Sequence, residues 1–239
     1  FKQKTAYEIG VRLVGSEMCI RDSKYTECWL FDLDNTLYSS SLNLFDQIDK
    51  RMCSYVAKTL NVSLAEAYKF QKSYFREYGT SLKGLMENHK IDPFDYLDYV
   101  HEIDLSIIKK DEKLDAALTK LPGRKIVFTN AATPYAKKVL EKLEIADHFE
   151  AIFDIVDANF IPKPEPKVYQ QIVSKYNISC NTTTMVEDIL KNLGPAAEMG
   201  MTTVWVNTKK PWSKNSSDGI LPDVVIEDLS SWLFGVANA

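Results

Sequence analysis

The sequence predicts an α/β fold, a doubly wound parallel sheet with an α-helical domain inserted after its first strand. Three observations carry this. Short apolar runs ending in polar residues recur along the chain. From residue 107 onward these runs alternate with helical patterns at βαβ spacing. Between residues 41 and 106, apolar side chains recur only at helical intervals.

The elements follow in order. Residues 1–23 match neither periodicity and resemble translated adapter sequence, so they are expected to be a non-native leader that contributes nothing to the fold. Cys28-Trp-Leu-Phe31 is a buried strand delivering Asp32 and Asp34 at its carboxyl end. In the insertion no proline occurs before Pro93, and Leu44, Ile48, Met52, Tyr55 and Val56 mark one helical face, which predicts several helices and no strand. The core, taken as residues 24–40 and 107–239, resumes with a helix over Leu114–Leu121. A turn at Pro122-Gly123 leads to a strand over Lys125–Phe128, which ends at Thr129-Asn130. A helix is predicted over Thr133–Leu143, a short strand within Phe149–Val156, and a helix over Pro166–Tyr176. The strand Thr184–Val186 ends at Glu187-Asp188, and the helix Leu190–Met199 is closed by Gly200. Strands over Thr202–Val206 and Asp223–Ile226 complete the sheet, separated by an exposed loop at Asn215–Gly219.

Composition narrows the function. Of 239 residues, 45% are hydrophobic and 26% charged, as in ordinary globular proteins, and the formal net charge of -4 offers no global attraction to nucleic acid or anionic lipid. No apolar run reaches the roughly 18–20 residues needed to span a bilayer, and no secretory segment opens the chain. Cys19, Cys28, Cys53 and Cys180 are far apart and without metal spacing, which fits isolated thiols in a reducing compartment. A cytoplasmic protein is expected, a monomer or homodimer, with neither a nucleic acid nor a membrane as partner.

The polar groups cluster at the carboxyl ends of strands, where open α/β sheets bind ligands. Asp32 and Asp34 leave the first strand two residues apart, so a loop can aim one carboxylate at a substrate and the other at its leaving group. Thr129-Asn130 offers a hydroxyl and backbone amides to a phosphoryl oxygen, although a helix N-cap explains it as well. Lys163 lies between prolines in Ile-Pro-Lys-Pro, a stiff setting for a cation that meets a phosphate and a carboxylate; Lys167 is a lesser rival. Glu187-Asp188, with Asn192 four residues beyond Asp188, supplies hard oxygen ligands of the kind that suit Mg²⁺. Each element alone has a bland reading, but the ordered set does not.

Across residues 28–230 this set resembles the haloacid dehalogenase superfamily, whose four motifs appear as Asp32-Leu-Asp34-Asn-Thr36, Phe128-Thr129-Asn130, Lys163-Pro164 and Glu187-Asp188 with Asn192. The resemblance implies a Rossmann-like core and a helical cap over residues 41–106. Within that cap, Tyr74-Phe-Arg-Glu-Tyr78-Gly79-Thr80-Ser-Leu-Lys83-Gly84-Leu85 and His89-Lys90-Ile91 are similar to pyrimidine 5′-nucleotidases. It implies that Asp32 is the nucleophile, that Asp34 is the general acid and base, and that Thr129 and Lys163 bind the phosphoryl group. Mg²⁺ would be held by Asp32, the Asp34 carbonyl and Asp188, with Glu187 and Asn192 as lesser candidates. Asn130, Tyr78, Gly79, Thr80 and Lys83 would contact the substrate, a small phosphomonoester and most readily UMP or CMP. Two departures stand out: Ile189 occupies a position where many relatives carry serine, and Asn192 one where aspartate is frequent. Phe70, Tyr74 and Phe75 are expected to be cap core rather than a platform for stacking a base. A sugar-phosphate phosphatase or phosphomutase is the alternative enzyme reading, and a catalytically idle scaffold is a third.

Overall fold

The computed structural model describes residues 26–214 and 219–238, so the leader expected at 1–23 lies outside the described residues. Six strands form one sheet: β1 (Cys28–Phe31), β2 (Arg124–Phe128), β3 (Ala151–Phe153), β4 (Thr183–Glu187), β5 (Thr202–Val206) and β6 (Val224–Ile226). Their spatial order is β3-β2-β1-β4-β5-β6, and every neighbouring pair is parallel. Because the chain turns one way from β1 to β2 and the other way to reach β4, a switch point opens beside β1.

Alternation along each strand builds two cores. In β1, Trp29 and Phe31 face one hydrophobic layer while Cys28 and Leu30 face the other. The first layer takes the apolar faces of α5 (Glu112–Lys120), α6 (Thr133–Leu143) and α9 (Leu229–Ala237), and continues into the insertion. The second takes α7 (Pro166–Tyr176) and α8 (Gly194–Glu198). All four β1 residues are buried, as expected of a central strand covered by helices on both faces.

The insertion is helical throughout its described elements: α1 (Leu44–Leu60), α2 (Leu64–Tyr78), α3 (Ser81–His89) and α4 (Pro93–Val100), preceded by a 3₁₀ turn at Ser40–Leu42. Three of these starts have a local cause. Ser63 and Glu66 form a reciprocal capping box at α2, Thr80 accepts the Lys83 amide at α3, and Asp92 caps α4 with Pro93 in its first turn. Between α2 and α3 the chain turns at Gly79, whose φ of 83° lies in the left-handed region.

Two expectations need correction. The helix expected over Leu190–Met199 is a 3₁₀ turn, Leu190–Leu193, followed by α8. Pro195 explains the break, since it lacks an amide to continue the hydrogen-bond ladder and fits only a first turn. The short strand expected within Phe149–Val156 is found there, at Ala151–Phe153. Of the aromatic stripe, only Tyr74 is buried. Phe70 is 41% exposed, because α2 turns its ring towards solvent. Among the described residues no helix is long and apolar enough to cross a membrane, and Cys28, Cys53 and Cys180 carry free thiols.

Candidate active site

The site is built where the strands end. The Asp32 amide donates to the Val186 carbonyl (2.9 Å), and the Thr129 amide to the Phe153 carbonyl (3.0 Å). Both residues therefore continue the sheet ladder by one step, and their side chains are fixed by its register. Asp32 is buried, with Oδ2 accepting from the Thr36 hydroxyl (3.0 Å) and Oδ1 from the Lys163 ammonium (2.7 Å).

Lys163 is only 1% exposed, and its Nζ donates to Asp32 Oδ1, Glu187 Oε2 (2.7 Å) and the Phe128 carbonyl (2.8 Å). Three acceptors match the three protons of an ammonium. Burial works against the charge, but Asp32 and Glu187 more than offset it and lift the lysine above its ordinary pKa. Asn130 fixes the loop: its Oδ1 accepts the Lys163 amide (2.8 Å) and its Nδ2 donates to the Lys163 carbonyl (3.3 Å). The Asn130 side chain is thus committed to holding Lys163. Thr129 accepts the Ala131 amide through Oγ1 (3.0 Å). Lys167 is exposed on α7 and stands apart from the cluster.

In the fourth motif the two acids differ. Glu187 spends Oε2 on Lys163 and Oε1 on the amides of Asp188 (3.2 Å) and Ile189 (3.1 Å). Its carboxylate is already engaged, and Ile189 contributes through its backbone. Asp188 is equally buried, but its Oδ2 has no hydrogen-bond partner; its carbonyl is held by Trp205 Nε1 (2.9 Å) and the Ser213 hydroxyl. Asn192 Oδ1 is a second buried orphan.

Oxygen atoms of Asp32, Glu187 and Asp188 lie within 4.8 Å of one another. Burial, aided by Glu187, pushes Asp32 up to about 7 against the pull of Lys163. Burial together with Glu187 and Asp32 raises Asp188 well above the carboxylate range. Three crowded carboxylates against one ammonium are short of positive charge. With an orphaned Asp188 oxygen on the same cluster, the donor set fits a hard divalent cation.

Asp34 sits apart from this knot. It is half-buried, and its Oδ1 accepts from the hydroxyls of Tyr38 (2.6 Å) and Tyr135 (2.7 Å). Burial raises its pKa while the two tyrosine hydrogen bonds oppose the rise.

Sequence reasoning did not find these tyrosines. Tyr38 could have been suspected four residues beyond Asp34, whereas Tyr135 reaches across from α6 without a local signal.

The candidate residues of the insertion are more dispersed. A Cβ on Gly79 would meet Pro162 Cγ at 3.3 Å and the Lys163 carbonyl at 3.6 Å, so this turn lies against the Lys163 loop. Thr80 caps α3, and Lys83 pairs with Glu87 at 2.7 Å. Tyr78 packs edge-on to Tyr74 with ring centroids 5.9 Å apart.

Fold and site together define a doubly wound α/β enzyme whose acidic centre lies at the switch point of its sheet. The comparisons agree. A family model for haloacid dehalogenase-like hydrolases matches residues 26–200. Phosphate metabolism protein 8 of Saccharomyces cerevisiae is 31% identical over 191 residues, which cover 72% of this chain and 59% of the yeast protein. The chain thus spans less than two thirds of that relative's length. Glyceraldehyde 3-phosphate phosphatase of Pyrococcus abyssi is 26% identical over 87% of this chain and 92% of its own. Among solved structures, the HAD hydrolase YfnB of Bacillus subtilis, described as bound to magnesium, superposes with a TM-score of 0.58 at 16% identity, covering 90% of this chain and 99% of YfnB. The chain belongs to the haloacid dehalogenase-like hydrolases.

Proposed function

We propose that this hydrolase is a magnesium-dependent phosphomonoesterase that works through an aspartyl-phosphate and favours pyrimidine nucleoside 5′-monophosphates. The observation that carries the chemistry is the charge arrangement. A buried Lys163 is shared between Asp32 and Glu187, while Asp188 presents an unpartnered oxygen beside them. Such a site needs a dication before it can accept a phosphoryl dianion. Asp32, Asp188 and the Asp34 carbonyl would hold Mg²⁺, with Asn192, whose Oδ1 is buried without a partner, as a lesser candidate. When bound, the metal supplies charge neutralisation at the phosphoryl oxygens. Glu187 serves by fixing Lys163.

The residues divide the work. Asp32 attacks phosphorus as the ester P–O bond breaks, and Asp34 gives its proton to the departing alkoxide. Asp34 then takes a proton from the water that attacks the aspartyl-phosphate, which releases inorganic phosphate and restores the Asp32 carboxylate. Lys163 and the Thr129 hydroxyl stabilise charge on the transferring group.

Substrate choice falls to the helical insertion, acting as a cap. Gly79 against the Lys163 loop supports this, since it brings the α2–α3 turn next to the phosphoryl site. Tyr78, Thr80 and Lys83 flank that turn, and Lys83 would exchange Glu87 for a pyrimidine carbonyl. Closed over the site, the cap would reject a purine's second ring by volume. The archaeal relative's name favours a second reading, a triose-phosphate substrate.

Steady-state kinetics on UMP, CMP, AMP, GMP, glyceraldehyde 3-phosphate and hexose phosphates, with and without Mg²⁺, decide between them. The pyrimidine nucleotides should exceed the purines by roughly ten- to two-hundred-fold in kcat/KM. A tenfold preference for the triose phosphate replaces the nucleotide reading, and no phosphate release from any of them overturns both.

A further inference from the structure

We infer that Tyr38 and Tyr135 are positioning residues that hold Asp34 by one oxygen and so direct its proton-bearing oxygen at the leaving group. This rests on the reading of Asp34 as the general acid and goes beyond it.

Two tyrosines from different elements converge on the same atom. Tyr38 follows Asp34 in the loop after β1, and Tyr135 lies in the first turn of α6. Their hydroxyls stand 2.6 and 2.7 Å from Asp34 Oδ1. Both rings are buried, at 5% and 2% exposure, so neither hydroxyl has water as an easy substitute. An oxygen of a carboxyl group has two lone-pair sites. Two O–H donors fill both on Oδ1, so the proton of the neutral acid must sit on Oδ2. No group among the described residues bonds Oδ2. A carboxylic acid free to rotate would present either oxygen, and this one presents a single oxygen with its proton.

The holders are themselves held. Asp154, just beyond β3, accepts the Thr133 amide at 2.7 Å and fixes the first turn of α6, which carries Tyr135. On its other side the Tyr135 ring is stacked by His101, with centroids 4.4 Å apart and planes 9° from parallel. His101 closes α4, the last helix of the insertion. Ring, hydroxyl and carboxylate therefore form one chain from the insertion to the acid. Simple packing of two tyrosines would not require both hydroxyls to meet on one oxygen.

The test separates acid alignment from general damage through leaving-group dependence. kcat/KM reports only steps up to formation of the aspartyl-phosphate, where Asp34 acts as acid. An alkyl phosphate needs protonation of its leaving group, whereas 2,4-dinitrophenyl phosphate does not. Tyr135→Phe and Tyr38→Phe, each keeping the ring, should lower kcat/KM for the alkyl ester by about ten- to a hundred-fold, a part of the general-acid contribution. For the dinitrophenyl ester the fall should stay below about threefold, with KM nearly unchanged for both. Asp34→Asn is the reference and should show the same discrimination more steeply. If Asp34→Asn lowers both esters equally, the acid assignment of Asp34 fails. If Asp34→Asn discriminates but the tyrosine variants lower both esters equally or neither, the positioning role is overturned. Should Tyr135→Phe fail to fold, Tyr38→Phe reads the same outcomes on the same oxygen.

Discussion

At the scale of single residues, Lys163 joins three strand ends, because it meets Asp32 after β1, the Phe128 carbonyl of β2 and Glu187 of β4. Asp32→Asn leaves two of those three acceptors unchanged, so the fold should survive. Turnover should fall by several decades, since the variant loses the nucleophile and a metal ligand together; phosphate release from freshly purified protein checks this. Lys163→Met behaves differently. It strips the ammonium that pairs with buried Asp32 and Glu187 and should cost about 3–5 kcal/mol of stability in metal-free protein. Part of that loss should return on adding Mg²⁺, as read by chemical denaturation. The four motif groups were legible in the sequence because three of them end a short apolar run and Lys163 lies between two prolines. Tyr135 was not, since it lies 101 residues from its partner Asp34 and sits on an ordinary amphipathic helix. The division of labour between Glu187 and Asp188 was hidden as well. Two adjacent acids look alike until the backbone amides and Lys163 are seen to occupy one of them.

At the scale of elements, helix contacts in the insertion depend on small residues that periodicity ignores. A Cβ placed on Gly84 of α3 would lie 2.4 Å from Tyr74 Cβ on α2. That overlap is with the root of a side chain and cannot be relieved by rotating a flexible tip. Gly84→Ala should therefore force the two helices apart and cost about 1–3 kcal/mol. For a chain of this size each kcal/mol shifts the melting temperature by roughly 2–4 °C, so a thermal scan of the variant is decisive. A melting temperature equal to the parent's would show that the pair has room to adjust. Most elements could be read from the sequence, with α6, α7 and β5 at the expected bounds. The misplaced helix has a plain cause: the apolar pattern over Leu190–Met199 records burial, not hydrogen bonding. Local breakers such as Pro195 decide where the regular ladder stops.

At the scale of the whole molecule, the insertion meets the core along one seam. Gly79 abuts Pro162, Lys191 lies 4.6 Å over the Phe75 ring, Phe94 packs edge-on to Phe160, and His101 stacks on Tyr135. Strand alternation announced a parallel sheet, but nothing local revealed this seam, because its partners are far apart in the chain and mostly aromatic. The crowded acids just behind it have a thermodynamic consequence. Before metal binds, Lys163 is already shared by Asp32 and Glu187, and burial favours protons on Asp32 and Asp188, so the site offers a phosphate dianion little positive charge. Metal and phosphate must then behave as heterotropic partners, each raising the affinity of the other by one shared factor. Titration calorimetry of Mg²⁺ with and without inorganic phosphate, and of phosphate with and without Mg²⁺, should return the same coupling free energy from both directions. It follows that a chelator should strip the metal readily from resting protein and poorly from protein saturated with phosphate. The acidic pocket is thereby a gate in which neither visitor settles well until the other has arrived.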